Sequence, residues 1–440
     1  MKTFLYLVLL SPALLLAQNE FLTLEKAWEI ALRENPSEEV ALARLNQAQA
    51  RYQQARSSYQ PTLGLTASGS KVKYSDTTLA QFPAGTSDNA EVYSAGLQAT
   101  WLLWDNGTRK NSVAYSDYLQ QASEASQMDS REQLLAEVGQ AFTAAQLARA
   151  NLRIAEADVE FQNRQLENSI RKEKAGLDSR TDRLNFEIRK LDAESTAVQQ
   201  EANFVSAMAA LSALLGQPIG TELPPPVTLK PEDDSLPKEI PDVDLLWKQA
   251  RETLPALRQA TLQVEAAQSN VAAFRGEYGP DLSLFGNLNA ERESDPAFAT
   301  DDMGNAVGIQ LSWDLWTGNA RKQRVIEADA QARETEAGYR QVQLQALATI
   351  KQTHAEYMAS VASETLSAKT FALSEENRDL VEASYQAGRE TLLRLNEAQR
   401  DFNNAGSRYV ASRLQRQLAW IRIQQATGTL RNQVEAPEDK

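Results

Sequence analysis

Cysteine is absent from the 440 residues and histidine occurs once. Without cysteine there is no thiolate nucleophile, no disulfide framework, no Cys/His zinc site and no lipid anchor on an N-terminal cysteine; any mechanism needing two histidines falls as well. Cationic charge is also short: Lys+Arg total 45 against 59 Asp+Glu, a formal net charge of -14. That is the wrong sign for a surface that tracks phosphates, so nucleic acid is not expected as a partner. Long apolar runs are missing beyond the first residues, and the mean hydropathy is -0.46. Passage through a bilayer would therefore have to use β-strands. Proline is missing over 84–217 and again over 297–436. This leaves long stretches rich in Ala, Gln, Glu, Arg and Leu compatible with helix.

The one apolar run, Phe4 to Ala17, follows a single lysine and ends before polar Gln18-Asn19-Glu20. Residues 1–17 read as a secretory signal cleaved after Ala17, because a run of about 14 residues falls short of the ~20 needed to span a bilayer. The mature chain is then exported, with 44 basic against 59 acidic residues, a net charge of -15.

Rare residues recur at two fixed spacings. Trp28 and Trp247, Ala31 and Ala250, Pro36 and Pro255, and Pro61 and Pro280 are 219 apart; Trp101 and Trp313, Trp104 and Trp316, Arg109 and Arg321, Gly176 and Gly388, and Gly216 and Gly428 are 212 apart. A single duplication accounts for both offsets if the second copy lost seven residues between its counterparts of Pro61 and Trp101. The prolines between 218 and 255, with acidic Glu232-Asp233-Asp234, mark a linker between copies. The division is a first repeat over 18–217, a linker over 218–241, a second repeat over 242–430 and a tail over 431–440, the repeats together forming one domain.

Each repeat predicts a short helix (about 23–34 and 242–253), a proline, and a second helix (about 37–59 and 256–277) ended by Pro61 or Pro280. Period-two alternation follows: Leu282, Leu284 and Leu288, then Val307, Ile309, Leu311, Trp313 and Leu315, with Leu63, Leu65, Ala67, Leu97, Ala99 and Trp101 as first-copy counterparts. Four strands are expected, about 62–74, 91–103, 281–291 and 305–316, each with one apolar and one polar face, as in a membrane strand with water on its other side. Trp101, Trp104, Trp313 and Trp316 would close one end as membrane-interface aromatics. Long helices are expected over 109–174 and 319–386, rods of roughly 100 Å at ~1.5 Å per residue. Leu135, Val138, Phe142, Ala145, Ala148, Leu152, Ala155 and Val159 give the first a coiled-coil-like stripe. Turns at Ala175-Gly176-Leu177 and Ala387-Gly388-Arg389 lead into return helices over 181–215 and 391–427. Four strands cannot close a membrane barrel, whose smallest form has about 8, so copies must pool strands; three would give 12.

Two repeats of helix, helix, strand pair, "LWDNGTRK" or "LWTGNARK", long helix, Ala-Gly turn and return helix, placed after a signal peptide, resemble the TolC-type outer-membrane efflux channels. The resemblance implies a mainly α fold with a membrane β-barrel: a homotrimer of 12 strands in outer-membrane lipid continuing into a periplasmic α-barrel. It implies an exit duct of a tripartite efflux or type I secretion system, served by a periplasmic adaptor (membrane fusion protein) and an inner-membrane RND, ABC or MFS pump. In the family the helical turns meet the adaptor, which points to Ala175, Gly176, Leu177, Ala387, Gly388 and Arg389. Asp182, Tyr385, Arg389, Arg394 and Glu397 match or neighbour the family's periplasmic constriction. Arg394 stands where an aspartate is expected, so three Arg394 beside three Glu397 would be charge-compensated.

No P-loop, HExxH or Ser-His-Asp set occurs, and lone His354 falls inside a long helix; no enzyme activity, cofactor or metal is expected. A soluble periplasmic coiled-coil structural or adaptor protein would explain the rods but not the aromatic-ended strands. A passive porin would need more strands per chain and no long helices.

Overall fold

A computed structural model describes residues 21–83, 88–176, 179–217, 236–293 and 295–435. The expected signal segment, most of the linker, Leu177 and the end of the tail lie outside the described residues. The chain opens with α1 (Leu24–Glu34) and α2 (Pro36–Ser57), then β1 (Thr62–Lys73), the single turn α3 (Asp76–Leu79) and β2 (Asn89–Trp104). The 67-residue α4 (Thr108–Lys174) and α5 (Arg180–Leu214) complete the first copy. The second copy has α6 (Val243–Thr253), α7 (Pro255–Gly276), β3 (Asp281–Glu293), β4 (Met303–Ser312), the 67-residue α8 (Ala320–Gln386) and α9 (Leu392–Thr427), before a last turn, α10 (Asn432–Glu435).

Local chemistry explains the boundaries. Pro36 and Pro255 open α2 and α7, where a missing N–H costs nothing. Thr23, Ser179 and Thr391 cap α1, α5 and α9, their hydroxyls accepting from the backbone N–H three residues on. Thr108 and Ala320 open the long helices 212 residues apart, and Arg180 and Leu392 open the return helices at the same spacing.

The chain divides into two compact units that do not follow the repeat boundary. Unit 1 takes its described residues from 1–39, 130–254 and 347–440, and unit 2 from 40–129 and 255–346, so each draws on both copies. Unit 1 holds the apolar clusters. In one, Leu135, Val138, Phe142 and Ala145 of α4 pack fully buried against Ala27, Trp28 and Ala31 of α1 and Met208, Leu211 and Leu215. In another, Ile350 and Tyr357 of α8 meet Leu246 and Ala250 of α6 and Ala419 and Ile423 of α9. Val138 and Ile350 are 212 apart, as are Leu211 and Ile423, so the duplication built the same core twice. Full burial of a side chain such as Phe142 contributes about 1.5–3 kcal/mol. A third cluster joins Phe161, Phe186, Val381, Leu395 and Ala398.

Unit 2 contains the antiparallel sheet in the order β1-β2-β3-β4. Its register aligns Leu65, Leu97 and Leu288 in one row, and Leu63, Ala99, Gly286 and Val307 in another. These side chains share a face, while Thr66, Gly96 and Asn289 belong to the opposite, polar one. The apolar face is bare: Leu63, Leu65, Val307, Ile309 and Leu311 are each 65–81% exposed.

One boundary differs from expectation. β4 ends at Ser312, so Trp313 and Trp316 lie beyond the strand expected to reach 316. Its partner β3 begins at Asp281, directly after Pro280, which has no N–H to extend the ladder. β2, by contrast, reaches Trp104 because a bulge lets that residue pair with Leu282. No helix among the described residues is long and apolar enough to cross a membrane, which leaves the strands untouched by that test.

Candidate functional site

The turns expected at Gly176 and Gly388 belong to unit 1. Gly176 has φ +74° and Gly388 +72°, the left-handed region that closes a helix, and a Cβ on either would meet nothing within 4 Å. Gly388 N–H donates to the Tyr385 carbonyl at 3.0 Å and Arg389 N–H to that of Ser384 at 2.9 Å, which satisfies the last carbonyls of α8. Ala175, Gly176, Ala387, Gly388 and Arg389 are all exposed; Leu177 lies outside the described residues.

The expected constriction residues fall into separate local arrangements. Asp182 sits in the first turn of α5, where its carboxylate accepts from Ser179 Oγ at 2.8 Å while its N–H donates back to that hydroxyl at 3.1 Å. Tyr385 packs edge-on against Phe186, 6.3 Å between ring centroids, with Lys172 Nζ over its ring at 5.1 Å. Lys172, Phe186 and Tyr385 line a cleft of about 310 Å³ with Gln165 and Ser169. Arg394 and Glu397 lie on successive turns of α9 and form an exposed ion pair at 3.7 Å. Polar cross-links that the sequence reading missed tie helices of the two copies together. Gln165 donates to Glu382 at 2.7 Å, Gln399 to Asp158 at 2.9 Å and Asn396 to Asn185 at 3.2 Å. Asn185 and Asn396 are 211 apart, close enough to the repeat offset to have been a signal.

The aromatic residues of unit 2 form a joint that occurs twice. Trp101 Nε1 donates to the Tyr59 carbonyl at 2.9 Å, and Trp313 Nε1 to that of Tyr278 at 3.0 Å. The Arg109 guanidinium lies 4.9 Å from the Tyr59 ring and that of Arg321 5.3 Å from the Tyr278 ring. Arg109 Nη1 also donates to the Leu102 carbonyl at 2.6 Å, and Arg321 Nη2 to that of Asp314 at 2.7 Å. Each joint turns from strand to helix on two residues of positive φ, Asn106-Gly107 and Gly318-Asn319. Trp101, Trp104, Trp313 and Trp316 remain 42–78% exposed. Tyr59 and Tyr278 were missed from sequence, although they too stand 219 apart.

Bare apolar strands, aromatic joints and long polar helices in one duplicated chain define an outer-membrane channel protein. The chain matches the family described as Outer membrane efflux protein over residues 28–217 and 246–429, and it belongs to that family. It is 29% identical over 415 residues to Protein CyaE of Bordetella pertussis, covering 93% of this chain and 84% of that protein. It is 24% identical over 433 residues to the proteases secretion protein PrtF of Dickeya chrysanthemi, covering 92% and 88%. Among solved structures it shares the fold of CusC, with a TM-score of 0.80 at 20% identity and 92% of each chain covered. The protein is thus an outer-membrane channel of an efflux or secretion system reaching into the periplasm, and the soluble periplasmic reading is set aside.

Proposed function

We propose that three copies pool their four-stranded sheets into one 12-stranded barrel that conducts substrates out through the outer membrane. The observation that carries this reading is the sheet itself: an apolar outer face with β1 and β4 each paired on one side only among the described residues. Two unpaired edges beside exposed leucines call for further strands, and closure removes both liabilities at once. The turns expected at Ala175, Gly176, Leu177, Ala387, Gly388 and Arg389 dock a periplasmic adaptor, which links the duct to an inner-membrane RND, ABC or MFS pump. Likeness to a protein named for protease secretion supports polypeptides as a cargo class beside small molecules. No catalytic step is required of the chain, which acts as a conduit.

The test is fractionation followed by electrophoresis with and without boiling. The protein should pellet with outer membranes and run as a trimer that heat converts to monomer; recovery as a monomer in the periplasmic extract would overturn the proposal. Asp182, Tyr385, Arg389, Arg394 and Glu397 form the constriction in this reading. Tyr385→Phe combined with Asp182→Ala should then raise single-channel conductance in planar bilayers, and unchanged conductance would remove both from the gate.

A further inference from the structure

A duplicated core should place like side chains at equivalent positions, and at one place α9 departs from α5. Val205, Met208 and Ser212 of α5 stand 212 residues before Gln417, Trp420 and Gln424 of α9. Met208 is buried in the first apolar cluster at 2% exposure, whereas Trp420 is half-buried at the edge of the second. Beside these three α9 residues a cleft of about 260 Å³ opens within unit 1. To its walls α1 contributes Glu25 and Trp28, the segment before α6 contributes Pro237, and α9 contributes Gln417, Trp420 and Gln424.

The walls are fixed from outside the cleft. The Trp28 indole is held by its hydrogen bond to the Leu135 carbonyl at 2.8 Å. The Pro237 carbonyl accepts from the Tyr357 hydroxyl and from Arg416 Nη2 at 3.3 Å, and Arg416 Nη2 also donates to the Leu236 carbonyl at 2.7 Å. The Trp420 ring packs on Tyr357 at 5.6 Å between centroids. Arg416 is itself neutralised by Glu364 at 2.8 Å. Walls anchored in this way need little ordering when a ligand enters, which lowers the cost of binding.

Among the described residues that line the cleft Glu25 is the only one that carries charge; no lysine, arginine or histidine joins it. Glu25 is exposed and makes no ion pair among the described residues. Indole rings attract cations, and a carboxylate beside them adds charge of the opposite sign. An anion would meet like charge at Glu25. The volume lies below the roughly 300–1,000 Å³ of drug-sized sites, so the ligand's apolar body is small.

We propose that this cleft between α1 and α9 binds a small organic cation, an ammonium that carries one aromatic or short apolar group. The apolar group lies along Pro237 and Trp420, and the ammonium faces Glu25. None of these residues belongs to the sheet, the turns or the expected constriction, so the site is separate from the conduction path described above.

The test uses the full chain in non-ionic detergent, titrated calorimetrically with benzyltrimethylammonium, and with phenylmethanesulfonate as the anion of similar size. The ammonium should bind saturably and at least about ten-fold more tightly than the sulfonate, and Glu25→Gln should weaken it by about five-fold or more. Glu25 is exposed, so that variant should unfold at the parental temperature, which separates lost binding from lost fold. Trp420→Leu keeps an apolar wall but removes the ring, and should weaken the ammonium while leaving the sulfonate unchanged. Equal binding of the two probes, no saturable binding of the ammonium, or undiminished ammonium binding by folded Glu25→Gln would overturn the proposal.

Discussion

The helical hairpins of unit 1 use left-handed glycines at both ends, under opposite conditions. Gly216 and Gly428 have φ of +71° and +67° and lie against backbone: a Cβ would stand 2.3 Å from the Glu34 carbonyl oxygen in the first case and 2.7 Å from that of Thr253 in the second. Gly176 and Gly388 have nearly the same φ but open space around them. One end therefore requires glycine for backbone conformation and for packing, the other for conformation alone. The packed end joins each return helix to the short helix of its own copy, through Glu34 of α1 and Thr253 of α6. The open end leaves its turns free to meet another surface.

Substitution breaks this comparison most directly at the packed end. Gly428→Ala should cost about 3 kcal/mol or more, because strain at positive φ adds to a backbone clash. Denaturant unfolding in detergent measures it. Next comes the joint at the foot of the sheet, where the copies diverge. Arg109 has Asp105 at 3.0 Å, with both side chains about 10% exposed, whereas Thr317 occupies the equivalent place in the second copy and the Asp314 carboxylate lies 4.0 Å from Arg321. Arg109→Ala leaves a buried carboxylate without its cation and should cost about 3 kcal/mol, against about 1–2 kcal/mol for Arg321→Ala, which loses hydrogen bonding and ring contact. Equal losses in the two variants would show that the ion pair adds nothing to the first joint. The smallest effect is expected at the open turn: Gly388→Ala should cost only the left-handed penalty, about 1–2 kcal/mol. A loss as large as that of Gly428→Ala would mean that its surroundings are not open in the assembled protein.

Much of the fold was legible because its signals are local. Alternation around Leu63, Leu97, Leu284 and Val307 marked the strands, and the stripe from Leu135 to Ala145 marked the buried face of α4. Gly176, Gly216, Gly388 and Gly428 marked four helix ends. Expectation overran at Trp313 and Trp316, where alternation continued into residues that have no strand partner. Pairing depends on the neighbouring strand, and Pro280 ends that neighbour before alternation stops. Tyr59 and Tyr278 escaped notice because each contributes a backbone carbonyl and a ring face, neither of which a residue pattern records. Of the residues expected at a constriction, Arg394 and Glu397 are together because they are three apart on one helix. Asp182 and Tyr385 make their contacts with Ser179, Phe186 and Lys172 instead.

The duplication, the helix and strand periods and the acidic balance follow from the residue order, since rare-residue spacing, side-chain periodicity and charge are properties of the chain as written. The tertiary structure alone decided which distant groups meet. The Trp28 indole donates to the Leu135 carbonyl, 107 residues away, at 2.8 Å, and buried Glu132 accepts the Leu430 N–H, 298 residues away, at 3.2 Å. It also divided the chain into units that cut across the repeats. A hydrogen bond exists only within a few tenths of an ångström of ~3 Å, and at such separations that distance is set by the path of the chain and the packing of its helices.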